Sequence, residues 1–428
     1  MGKGARMRRV LVAAVGVTAL ATVSACGGGG GTDAAAGEGG DVTLEFSQWW
    51  EPELPDGELR GLMDDFESKN PGIKVKLLSG PYASTKEQVT AGAASGTMSD
   101  VVGLDGAWVN EFVNQGALAD MSKLMADAGY DDSQLASQVK IDGSTYMVPV
   151  VNFAYMMFTN DDLLAQAGVT TPPSTRTEFE AAAKAITAGG KASGWILPLA
   201  LDAPNGVQND VMAWNWASGG TMLKDGEPDL TNADVTSTID FVNGLNSAGV
   251  LAPGTATLKE QDKVEEFTNG RVGMMIDTLA HINTIKKDSP DLEFTVSAVP
   301  AVDGYSGKRG VPYASWGIGV AENSEHQAEA FKLVEYLMSA EANGKLSNAA
   351  NAFPGNKTAV PDYVAGDPSF KQAFDVWNAG TPANEFVGLP VAESLMRDLG
   401  EQLQLELQGK QDTATTLKNA QAAWVEEF

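Results

Sequence analysis

Val42-Thr43-Leu44-Glu45-Phe46 alternates apolar and polar side chains, the period of a strand with one buried face. From Leu59 to Lys69 the period lengthens, with Leu62, Met63 and Phe66 at helical spacing, and Asn70-Pro71-Gly72 ends that helix. Ile73 to Leu78 predicts a second strand, Lys86 to Ala94 a second helix, and Asp100-Val101-Val102-Gly103-Leu104 a third strand. The order βαβαβ predicts an open α/β sheet. Further along, Pro149-Val150-Val151-Asn152-Phe153 is an extended apolar run, and Met274-Met275-Ile276-Asp277 predicts a buried strand.

The length of 428 residues corresponds to about two or three domains. Lys and Arg number 29 against 56 Asp and Glu, a formal charge of −27. Residues 1–25 hold Lys3, Arg6, Arg8 and Arg9 and no acid, so the remainder is more acidic still. Such a field repels phosphate backbones and predicts no nucleic-acid partner. One cysteine and two histidines, His281 and His326, are too few for a disulfide framework or a Cys/His zinc cluster, and no cofactor or metal is expected.

After its basic start the chain runs apolar from Val10 to Val23, too short for a comfortable membrane span. Residues 1–25 read as a secretory signal, and Val23-Ser24-Ala25-Cys26 resembles the bacterial lipobox, in which the cysteine carries lipid. The expectation is an extracytoplasmic lipoprotein, attached through Cys26 to the outer face of the cytoplasmic membrane of a Gram-positive bacterium. Residues 26–41, rich in Gly and Ala, read as a flexible linker.

Several segments together resemble the extracellular solute-binding proteins of ABC sugar importers. They are Asn70 to Val75, Ala94 to Val102, Gly143 to Pro149, Phe158 to Leu164 with Ala167-Gly168-Val169, and Pro172 to Thr175. Phe267 to Met275, Trp316 to Val320 and Ala330 to Met338 complete the series. Ser99 and Arg176 stand where that family commonly has proline and tryptophan. The resemblance implies a two-lobed type II periplasmic-binding-protein fold, each lobe an open α/β sheet flanked by helices, with three interlobe crossings. By motif position these fall near 150–153, 296–300 and 320–324. One lobe would then hold 42–151 and 298–321, the other 153–296 and 322–428. It also implies a monomer that delivers its cargo to permease transmembrane subunits served by a cytoplasmic ATPase.

A sugar presents C–H faces and many hydroxyls, so its site needs flat rings beside polar side chains. Trp49 and Trp50 follow the first strand, and Asp105 and Trp108 the third, at the carboxyl ends where open α/β sheets bind ligands. The window from Asn205 to Gly220 gathers Gln208, Asn209, Asp210, Trp214 and Trp216. Asn209, Asp210 and Trp214 are candidates there, with helix capping as the rival role for the first two and core packing as the rival for the tryptophans. Asp277, Trp316 and Gly317 complete the set, with Tyr155, Phe353, Trp377, Glu385 and Phe386 as further candidates. His281 reads as an exposed or capping residue. In the family a tryptophan often follows the strand ending at Asp277, whereas Thr278-Leu279-Ala280-His281 stands here.

Two other functions fit less well. A secreted glycoside hydrolase needs two carboxylates about 5–9.5 Å apart, a condition that 56 acids meet without meaning, and no nucleophile elbow, zinc helix or P-loop motif occurs. The same fold could instead take a peptide or polyamine. A free amino acid calls for arginine against its carboxylate, and beyond the signal only Arg60, Arg176, Arg271, Arg309 and Arg397 are present, none beside the aromatic turns.

Overall fold

A computed structural model describes residues 42–428 apart from residue 367. The expected signal, the linker and Cys26 lie outside the described residues. Strand Val42–Gln48 pairs in parallel with Ile73–Ser79 and with Val101–Leu104, and helices Glu58–Lys69 and Tyr82–Ser95 are the crossovers. This is the βαβαβ unit that the periodicity predicts. Gly96, at φ 67°, closes the second helix in the left-handed conformation that glycine adopts without strain.

The sheet runs in the order Ile73–Ser79, Val42–Gln48, Val101–Leu104, Gly310–Val320, Ser144–Asn160, Val272–Thr278, Ser193–Trp195. Its two central strands, Ser144–Asn160 and Gly310–Val320, are antiparallel to each other. Each is long enough to serve two separate cores. Val148, Val150 and Val151 join Leu44, Phe46, Val101 and Val102 in a first core. Tyr155 and Met157 face a second, around Phe179, Trp195 and Trp214, while Ala154, Met156 and Phe158 face a third, around Phe267, Ile282 and Phe370. That alternation is the period-2 pleat of one strand buried on both faces. The fold is therefore mixed α/β, with one half built on the first core and the other half on the second and third.

The lobe boundaries expected by motif position require correction at two places. Helices Gln327–Leu337 and Ala340–Ala350 place Phe331, Leu333, Val334, Leu337 and Leu346 in the first core, so residues 322–352 pack with 42–151. Conversely, Val299, Val311 and Tyr313 pack with the second and third cores. The chain changes core within residues 151–154, again within 313–316, and again between Ala352 and Phe353. The physical reason is continuity. The strand Gly310–Val320 passes through both halves without a break, so nothing in its composition marks where its neighbours change.

Candidate functional site

Where these three passages meet, the two halves enclose a cavity of about 510 Å³. The crossing strands supply its rings: Phe153 and Tyr155 from one, Trp316 from the other. Phe153 and Trp316 meet edge to face, their centroids 5.0 Å apart. The first half adds Glu53, from the short helix Glu51–Glu53, and Asn351, which caps helix Ala340–Ala350 in the left-handed region at φ 50°. The second half adds Glu260 at the start of helix Glu260–Thr268, together with Thr278 and His281 just after strand Val272–Thr278. Ala349 and Asn351 also border a second cavity, of about 730 Å³, lined by Glu58, Asn283, Lys345 and Tyr363 among others.

On its other side, Tyr155 and Ala314 also border a cavity of about 50 Å³, lined by Tyr82, Asp105, Asn205, Gln208, Asn209 and Asn384 among others. Here the halves touch. Asn110 Nδ2 donates to Gly388 O at 3.1 Å, Gly388 N donates to Gly106 O at 3.1 Å, and Lys86 Nζ lies 2.7 Å from Glu393 Oε1. Another cavity, of about 420 Å³, is bordered by Asn246, Leu251, Pro253, Gln404 and Leu407, wholly in the second half, with no charged residue.

Behind the rings lies a charged layer. Lys263 is fully buried and its Nζ sits 3.3 Å from both oxygens of Asp210 and 5.7 Å from the centroid of the Tyr155 ring. Burial alone would lower the Lys263 ammonium, but Asp210, Asp277 and Glu260 hold it above its ordinary value. Asp277, also buried, lies 2.9 Å from His281 Nδ1. Attraction to Asp277 raises His281 to about 9. Glu53 also borders the cavity; its side chain is exposed, yet crowding by nearby protein atoms pushes its carboxyl up to about 7 against the opposing pull of His281.

Residues 30–344 match the family described as bacterial extracellular solute-binding protein. The chain belongs to that family. A binding protein of Brucella abortus is 29% identical over 305 residues, covering 70% of this chain and 72% of its own. The diacetylchitobiose binding protein DasA of Streptomyces coelicolor is 25% identical over 390 residues, 86% of each chain. Among solved structures, the cyclic alpha-maltosyl-1,6-maltose binding protein of Arthrobacter globiformis superposes with a TM-score of 0.78 at 19% identity, over 90% of this chain and 99% of that one. The two-lobed type II architecture is thus common to this solute-binding protein and its structural neighbours.

In this solute-binding protein the sequence candidates separate into groups. Trp316 lines the main cavity, and Tyr155 borders both cavities. Asp105 and Asn209 line the smaller one; Asp105 also accepts from Ala107 N at 2.9 Å and Tyr82 Oη at 3.2 Å, and burial pushes its carboxyl up. Trp50 stands one layer back, stacked on Trp316 at 5.6 Å with 9° between the planes. Asp210 pairs with the buried Lys263, and Asp277 with the partly exposed His281. Trp49 and Trp108 are buried against each other and against Tyr82.

Six candidates are held by packing or by internal hydrogen bonds. Trp214 is fully buried between Phe179, Trp195 and Phe241, so it is a core residue. At Gly317 a Cβ would stand 2.2 Å from Met147 Cε, beside a register shift in the ladder, so this glycine serves close packing. Phe353, Trp377 and Phe386 are core residues, and Glu385 accepts from Trp216 Nε1 and Met222 N. Glu53, Phe153, Glu260, Thr278 and Asn351 lack any sequence signal of their own. They converge because they lie where the crossings, a helix start and a helix end meet. His281, four residues after Asp277, pairs with it because the strand Val272–Thr278 ends and the turn Leu279–His281 folds back between them.

Proposed function

We propose that this protein captures a mono- or oligosaccharide between its two halves and delivers it to the membrane permease of an ABC importer. The observation that carries this reading is the main cavity. Its walls combine the flat faces of Phe153, Tyr155 and Trp316 with the polar groups of Thr278, Asn351, Glu53 and His281, the combination that a ring with C–H faces and hydroxyl edges needs. No arginine borders it to meet a free carboxylate. The neighbouring cavity that shares Ala349 and Asn351 would offer room for further sugar units. DasA and the maltosyl-maltose binding protein, whose names specify oligosaccharides, favour the same cargo. Cys26 would carry the lipid that tethers the folded body outside the membrane, on the strength of the Val23-Ser24-Ala25-Cys26 motif.

No covalent step is involved. Cargo bridging Trp316 of one half and Tyr155 and His281 of the other binds the closed arrangement better than an open one, and this difference drives closure. A thermal-shift screen over sugars, free amino acids, peptides and polyamines tests the reading, because a ligand bound only by the native state raises Tm. A sugar giving the largest rise is the expected result. A rise with an amino acid or peptide and none with any sugar would overturn it.

A further inference from the structure

Around the main cavity acidic groups outnumber basic ones. Four carboxyl groups, Glu53, Asp210, Glu260 and Asp277, stand near two cations, Lys263 and His281, and an arriving ammonium favours the ionised form of Glu53 that desolvation otherwise disfavours. Lys263 is occupied by Asp210 and His281 by Asp277. Glu53 and Glu260 are the carboxylates left over, one on each half, and both border the cavity. Among the described residues the Glu53 side chain has no hydrogen-bond or ion-pair partner. Glu260 lies near the Tyr155 hydroxyl, and its Oε1 is shielded from bulk water with no hydrogen-bond partner. A shielded acceptor with nothing to accept from is costly unless a donor arrives with the ligand. The rings of Phe153, Tyr155 and Trp316 border the same cavity, and π faces also attract a cation.

We infer that the saccharide taken by this cleft carries a positive charge, an amino sugar with its nitrogen free, whose ammonium sits between Glu53 and Glu260 while its ring lies against Trp316. This rests on the sugar-capture reading above and adds the charge of the cargo. The acidity of the whole chain has no bearing on it, since that charge is spread over the surface. The local excess faces the cavity from both halves, so a cation bound there also draws the halves together.

The test is isothermal titration of the purified protein at pH 7 with matched sets, each having a free amine, an acetamide or a hydroxyl at one position. Glucosamine, N-acetylglucosamine and glucose form one set; chitobiose with free amines, its diacetyl form and cellobiose form the other. Spermidine is titrated alongside. A charge-assisted hydrogen bond predicts that a free amine binds about tenfold or more tighter than its neutral counterparts. Glu53→Gln, at an exposed side chain and checked for an unchanged circular dichroism spectrum, brings the amine down to the neutral level. Raising salt narrows the gap in the wild type. A neutral member binding as tightly as its amine overturns this inference and leaves sugar capture standing. Saturation by spermidine with none by any sugar overturns sugar capture itself, and this inference with it.

Discussion

Trp316 and Trp214 have the same side chain and opposite predicted consequences. Aromatic stacking contributes about 0.5–1.5 kcal/mol beyond the area it buries, so Trp316→Ala is predicted to weaken sugar binding roughly tenfold or more. Titration calorimetry on folded protein is the check. Trp214→Ala instead opens a cavity in a packed core and costs about 3–5 kcal/mol of stability; Tm falls, and affinity per folded molecule stays unchanged. His281 makes a pH prediction. Its folded pKa of about 9 lies above the ordinary 6.5, so the stabilisation from Asp277 is fully present below 6.5 and is lost as pH rises towards 9. His281→Asn removes that slope, which Tm measured across pH 6–10 would reveal; an unaltered slope contradicts the pairing. At this scale the sequence told which residue types the site needs, but not which tryptophan faces the cleft. Trp50 and Trp316 are mutually stacked, and only tertiary contacts reveal which of two stacked rings is the outer one.

Elements meet across the cleft at Lys86, Gly106 and Asn110, which makes closure sensitive to small additions there. A Cβ on Gly106 would stand 2.9 Å from Val387 Cγ1, inside van der Waals contact between the two sides. Gly106→Val is therefore predicted to disfavour closure and weaken binding by about fivefold, the equivalent of about 1 kcal/mol, with the unliganded Tm little changed. A fall in Tm without loss of affinity would place the strain elsewhere. The βαβαβ unit was legible in the sequence because its strands and helices each have one buried face, and periodicity reports burial. The boundaries expected near 296–300 and 320–324 were not. Phe331, Val334 and Leu346 are spaced as on any amphipathic helix, and helical spacing does not say which of two cores receives the buried face.

For the molecule as a whole, two halves joined at three passages along a common sheet can hinge with little loss of hydrogen bonding, because the ladders of Ser144–Asn160 and Gly310–Val320 remain intact. Addition of saturating sugar is predicted to leave the radius of gyration by small-angle scattering equal to or smaller than that of the free protein; an increase would contradict capture by closure. The most direct measurement is a crystal structure grown with the sugar that raises Tm most. The predicted result is density for a sugar ring flat against Trp316, flanked by Phe153 and Tyr155 and within hydrogen-bond reach of Glu53 and His281. Density confined to the neutral cavity beside Gln404 and Leu407, with the space between the halves holding only water, would contradict the account.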